Sequence, residues 1–159
     1  MVKKSSLKTI QKFIQHLESS FGLINFAVAL PNIQNDAYTS LTLFLASPWI
    51  ENKKRIDALT IILKEMREFI GNDAAELISR ITLVSMSDPF VSSYELMHVD
   101  GDNIISLNEC KLFNLMIEEV YIFKNIPPSQ NINDILTAPL HHVSIPISTT
   151  EYNVPVNVK

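Results

Sequence analysis

"HVDGDNIISLNE", His98–Glu109, decides how the second half of the chain folds. Asp100-Gly101 stands between "YELMHV" and "NIISL", and Asp-Gly between two such runs is a strong hairpin signal. A primed turn needs φ > 0, which glycine adopts without a Cβ clash. Ile104 and Ile105 are β-branched and suit the strand that would follow. The first expectation is therefore a β-hairpin that extends a sheet.

Working outward, "NLMIEEVYIF" (114–123) fits a strand in which Leu115, Ile117, Tyr121 and Phe123 alternate with Met116, Glu118, Val120 and Ile122. The pair Glu118-Glu119 would also suit a helix, so periodicity leaves both open. On the other side, Ser87 or Asp88 followed by Pro89 reads as the N-cap and first position of a short helix. "RITLVSM" (80–86) is rich in β-branched residues and reads as a third strand, preceded by a helical turn over 73–79. From about Lys53 to Ile70 a helix places Ile56, Leu59, Ile62, Leu63, Met66, Phe69 and Ile70 on one stripe, and Gly71 and Asn72 stop it. "LINFAVAL" and "TSLTLFLAS" alternate as an antiparallel strand pair around the turn chemistry of "PNIQNDAY". Ahead of them, Leu7, Ile10, Phe13, Ile14, Leu17 and Phe21 form a helical stripe between the capping candidates Ser5 and Ser6 and the terminator Gly22.

Strand, helix, strand in this order implies a crossover with parallel strands on either side of the long helix. The expected fold class is α/β (α+β): a two-layer mixed sheet of four to six strands packed against two main helices. One domain spans 1–125, as a chain of 159 residues with 47% apolar content suggests. From 126 to 159 the texture changes: five of the eight prolines fall there, and only Asp134, Glu151 and Lys159 are charged. Pro139, Pro146 and Pro155 exclude a long helix. This stretch reads as an extended C-terminal arm that packs on its own domain or on a partner subunit, because its Val and Ile content is not that of a disordered tail.

The opening stretch also resembles the twelve-residue EF-hand calcium loop. Asp100 takes the third place, Asp102 the fifth, Ile104 the seventh through its carbonyl, Ser106 the ninth and Glu109 the twelfth, with Ile105 at the apolar eighth. Tyr94, Met97 and Phe113 match apolar positions of the flanking helices. His98 departs from the Asp of the first place, and Asn103 from the Gly of the sixth. The resemblance implies calcium held by Asp100, Asp102, Ser106 and Glu109, and a helix on each side of the loop. Otherwise no cofactor is expected.

Catalytic signals are sparse. Gly22, Gly71 and Gly101 are isolated, so no glycine-rich phosphate loop exists, and neither a GxSxG elbow nor an HExxH pair occurs. Glu118 and Glu119 would face opposite sides of a strand and cannot act as one acid–base pair. His16 borders the first helical stripe, His141-His142 lack carboxylate or thiolate company, and Cys110 has only Lys111 as a basic neighbour. An enzyme reading would use Trp49, beyond a strand end, with Ser87 and Asp88 after the third strand.

The net charge of −4, with basic residues scattered, argues against nucleic acid. No run approaches the ~20 apolar residues that span a bilayer, and the lone cysteine suits a reducing, cytoplasmic setting. The function these features favour is a non-catalytic interaction or assembly module of bacterial type, forming a homo-oligomer or docking on a partner protein through the arm and a sheet edge. Calcium binding and an unrecognised active site are the alternatives.

Overall fold

The structure is a computed structural model that describes residues 2–34, 37–94, 97–112 and 115–126. Apart from Ile126, the C-terminal arm expected from the sequence lies outside the described residues, as do His141 and His142.

A five-stranded mixed sheet carries the fold, in the order β3-β2-β1-β5-β4. β1 (Phe26–Gln34) and β2 (Ala37–Ala46) are antiparallel. β3 (Ile78–Leu83) lies parallel to β2, as the crossover required. β4 (Ile105–Leu112) and β5 (Leu115–Asn125) form an antiparallel hairpin in which Leu112 pairs with Leu115, and β5 joins β1. Residues 115–123 of the undecided stretch are thus strand. The expected turn over "PNIQNDAY" is much shorter: Pro31–Gln34 and Ala37–Ser40 continue the ladder, with a register shift at Asn32/Ile33.

Two helices cover one face. α1 (Lys4–Phe21) buries Leu7, Ile10, Phe13, Ile14 and Leu17, and α3 (Arg55–Ile70) buries Ala58, Ile62 and Met66. Between β2 and α3 sits α2 (Pro48–Glu51), capped by the Ser47 hydroxyl. Ser5 and Ser6 are not caps, because α1 already starts at Lys4. The helices rest on Ala27 and Ala29 of β1 and on Leu41, Leu43 and Leu45 of β2. The two alanines are fully buried rather than solvated, and their small side chains leave room for the helix layer. Ile56 and Phe69, expected within the apolar stripe of α3, are 65% and 42% exposed. The stripe that meets the sheet is narrower than the sequence pattern.

After α3, the short α4 (Ala74–Leu77) leads into β3. Beyond β3, α5 (Pro89–Ser92) is capped by Asp88, whose Oδ1 accepts from the Phe90 amide at 2.8 Å. Its Phe90 lies 4.8 Å from Phe44 and 5.7 Å from Phe26, centroid to centroid, on the second face of the sheet. Phe26, Val28, Leu30, Phe44, Val120 and Ile122 are buried there. Both sheet faces are therefore core. Among the described residues, no helix is long and apolar enough to cross a membrane.

Candidate functional site

The Asp100-Gly101 stretch is neither a hairpin turn nor a loop between helices. Val99 makes an antiparallel bridge to Asn125, and Ile105 pairs with Ile122. Both flanks thus pair with the same strand, β5, and Asp100–Ile104 is an excursion from the sheet edge. Gly101 supplies the positive φ of 71° that the reversal requires. The hairpin reading had the right glycine chemistry but the wrong partner, because pairing between distant strands is not encoded in the turn.

Polar groups on one face of α1 hold this excursion. Gln11 Nε2 donates to the Gly101 carbonyl at 3.3 Å, and Gln15 Nε2 to Asp102 Oδ1 at 3.0 Å. Lys124 on β5 lies 2.6 Å from Asp100 Oδ1 and 2.8 Å from Glu18 Oε1. Burial alone would push the Lys124 ammonium down; its hydrogen bonds to Asp100 and Glu18, with their charges, outweigh that and hold it above the usual lysine value. The same hydrogen bond from Lys124, aided by the Gly101 amide, lowers the Asp100 carboxyl. The Lys124 ammonium thus already serves as the cation for Asp100.

Of the calcium-ligand candidates, Asp100 and Asp102 share the excursion, while Ser106 and Glu109 lie on β4. The exiting helix that the EF-hand resemblance implies is β4 instead, and α5 ends at Ser92, before the loop. Glu109 has φ 54°, an irregularity within β4. Among the described residues, no group of three or more His, Cys, Asp or Glu side chains comes together.

At the other end of the sheet, Ser85 Oγ donates to Glu51 Oε1 at 2.9 Å and stands 2.9 Å from Ser87 Oγ. Trp49 stacks on Phe21 with centroids 5.3 Å apart, closing the end of the helix layer. Asp88 is used as the cap of α5. Glu51, Ser85 and Ser87 tie α2 to the turn after β3, and Trp49 is packed elsewhere, on the end of α1. His16 lies 2.7 Å from Glu65 and stacks on Phe69, joining α1 to α3. Each of these groups has a structural use.

One constellation was missed by sequence reasoning. Where α3 ends beside β3, a groove of about 440 Å³ is lined by the apolar Leu63, Met66, Ile78 and Ile81 and the polar Asn72 and Ser79, with Arg67 and Arg80 as its charged residues among the described ones. The chain has three arginines, and two of them are here. Neither has a carboxylate within ion-pair distance among the described residues. Among the described residues, β3 is an edge strand. The Val84 amide donates to the Leu45 carbonyl, so alternation turns the amides of Leu83 and Ile81 away from β2. The spacing of Arg67 and Arg80, thirteen residues apart on different elements, offered no local signal in the sequence.

No family model, curated protein or solved structure matches the chain.

Proposed function

We propose that the protein is a non-catalytic interaction module that docks an extended polypeptide segment along the open edge of β3. A strand on an open edge presents unpaired amides and carbonyls that template another strand, and β-addition is a common mode of peptide recognition. The observation that carries this reading is the coincidence at one edge, among the described residues, of outward backbone groups, a groove with an apolar floor and two guanidinium groups without carboxylate partners. The docked segment belongs to a partner protein or to a second copy of the chain.

Site-specific photo-crosslinking in cells tests it. A benzophenone side chain placed at Ser79 on β3 is expected to capture a discrete segment of another chain, mapped by mass spectrometry. The same group at Asn108 on β4 is expected to capture none. Equal capture at both positions, or none at Ser79, would sink the reading.

A further inference from the structure

Resting on edge docking at β3, we propose that this edge is gated by the chain's own C-terminal arm: residues 143–147, "VSIPI", add to β3 as a strand, and a partner segment reaches the edge only by displacing them.

The arm matches the edge in phase. Along a strand, residues i and i+2 share both a face and a hydrogen-bonding side. In "VSIPI", Val143, Ile145 and Ile147 fall in one phase, Ser144 and Pro146 in the other. Pro146 has no N–H, so only the phase of Val143, Ile145 and Ile147 gives β3 an unbroken set of donors, and Pro146 then faces outward, where a strand tolerates proline. On β3 the outward amide and carbonyl belong to Ile81, which pairs with Leu43 and so stands on the helix side of the sheet. Residues directly opposed across two strands share a face. The phase that satisfies the Ile81 backbone therefore sets Val143, Ile145 and Ile147 over Leu63, Met66 and Ile81, the apolar floor of the groove, and turns Ser144 to the side of Arg80. A strand shifted by one residue would bring the proline against Ile81 and the serine over the floor. "VPVNV" (154–158) has the same phase, but the two isoleucines of "VSIPI" bury more apolar area than its valines.

The place where the arm begins allows this. The Asn25 amide donates to the Ala46 carbonyl at 3.1 Å, its carbonyl accepts from the Ile126 amide at 2.7 Å, and its side chain donates to the Ile126 carbonyl at 3.2 Å. Ile126 thus leaves the sheet beside Phe26 and Ala46, at the end where β3 also finishes, since Leu45 pairs with Leu83. From β5 to a strand outside β3 is four strand spacings, about 19 Å. Pro127 to His142 supplies sixteen residues, and about six of them cross that span when extended. Turning back from there, the segment runs antiparallel to β3. A tethered segment meets the edge at about millimolar effective concentration, so the arm of the same chain precedes that of a second copy. Pro146 on the outside then closes the new edge against a further strand.

The test follows amide hydrogen exchange by NMR in the whole isotope-labelled chain. Leu83 is already buried, so the outward amide of Ile81 is the readout, and Thr82, whose amide alternates toward β2, is the reference. Exchange at Ile81 is expected to be about tenfold slower than in the chain carrying Ile145→Asp and Ile147→Asp, the factor that one net backbone hydrogen bond gives, with Thr82 unchanged. Equal exchange at Ile81 in the two chains would overturn the proposal. So would protection that grows with protein concentration, which belongs to the arm of a second copy, or protection lost only with Val154→Asp and Val156→Asp. Partner docking is judged separately: with benzophenone at Ser79, capture of another chain is expected to rise when Ile145→Asp and Ile147→Asp uncover the edge. Unchanged capture would overturn the gating. No capture even from the uncovered edge would overturn partner docking, and the gating with it, while slowed exchange at Ile81 would still place the arm on β3.

Discussion

β3 and β4 end the same sheet on opposite sides, and they are fastened in different ways: β3 by neutral hydrogen bonds from Asn32 and Ser40 to Ser79, β4 through a charged network beside it. At the β4 side the chain before the strand is bonded to β5 through Val99, loops out over Asp100–Ile104, and is fastened to α1 by Gln11, Gln15 and the Glu18–Lys124–Asp100 network. Glu109 then breaks the regularity of the strand with its positive φ. An irregular edge is a poor template for a further strand. At the β3 side the strand is short and regular beyond Arg80, a groove runs between it and α3, and neither Arg80 nor Arg67 of α3 has a carboxylate partner among the described residues. The same device, a cation near a sheet edge, is saturated at Lys124 and open at Arg80.

That contrast can be broken first at Asn125. Its side chain is 2% exposed and donates to the carbonyls of Tyr94 and Met97, while its backbone exchanges bonds of 3.0 and 2.8 Å with Val99. Asn125→Ala leaves two carbonyls short of a donor, and a cost of about 3 kcal/mol is expected in urea unfolding. An unchanged midpoint would mean that the segment from Tyr94 to Val99 is held by other contacts.

Lys124→Met comes next, with an expected loss of about 2 kcal/mol, since it leaves Glu18 and Asp100 without their shared cation. The pH profile carries the sign. Asp100, held below its ordinary value, contributes stability that is full above about pH 4 and lost as pH falls through its lowered value. Lys124, held above its ordinary value, contributes stability that is full below about pH 10.4 and lost as pH rises through its raised value. In Lys124→Met both limbs should flatten, which unfolding midpoints across the pH range would reveal. Gly101→Ala follows at about 1 kcal/mol: nothing lies within 4 Å of an added Cβ, so the cost is the left-handed backbone alone. A larger loss would show that the excursion shifts and loses Gln11 as well.

Local patterns made much of the fold legible. The stripe from Leu7 to Leu17 meets the sheet, and the alternation in "TSLTLFLAS" places Leu41, Leu43 and Leu45 under the helices. Asp88-Pro89 caps and starts α5 as their chemistry dictates. The sequence was silent where the answer depends on residues far apart in the chain. Asp100-Gly101 announces a reversal but cannot say that both of its flanks pair with β5, whose residues come some twenty positions later. Asn125 looks like an ordinary polar strand end until the carbonyls of Tyr94 and Met97 converge on it. Ile56 satisfies the helical period and still stands exposed, while Phe69 turns to His16 and Phe13 of α1 rather than to the sheet. The groove beside β3 was invisible for the same reason: its lining comes from α3, the turn after it and β3, none of which carries a local signature of binding.

The smallest expected effect on stability belongs to an exposed residue of the β3 edge. Arg80 is exposed and makes no ion pair among the described residues, so Arg80→Glu is expected to change unfolding free energy by less than about 0.5 kcal/mol. The reversal nevertheless turns a cation into an anion on an otherwise uncharged stretch of the β3 edge, and like charges placed opposite each other across strands are unfavourable. An acidic segment should then bind Arg80→Glu more weakly than it binds an Arg80→Gln chain, whereas a neutral segment should not distinguish them. A substantial loss of stability in Arg80→Glu would instead place Arg80 among the groups that hold β3 to the sheet, and the two edges would no longer differ in the way their charges are used.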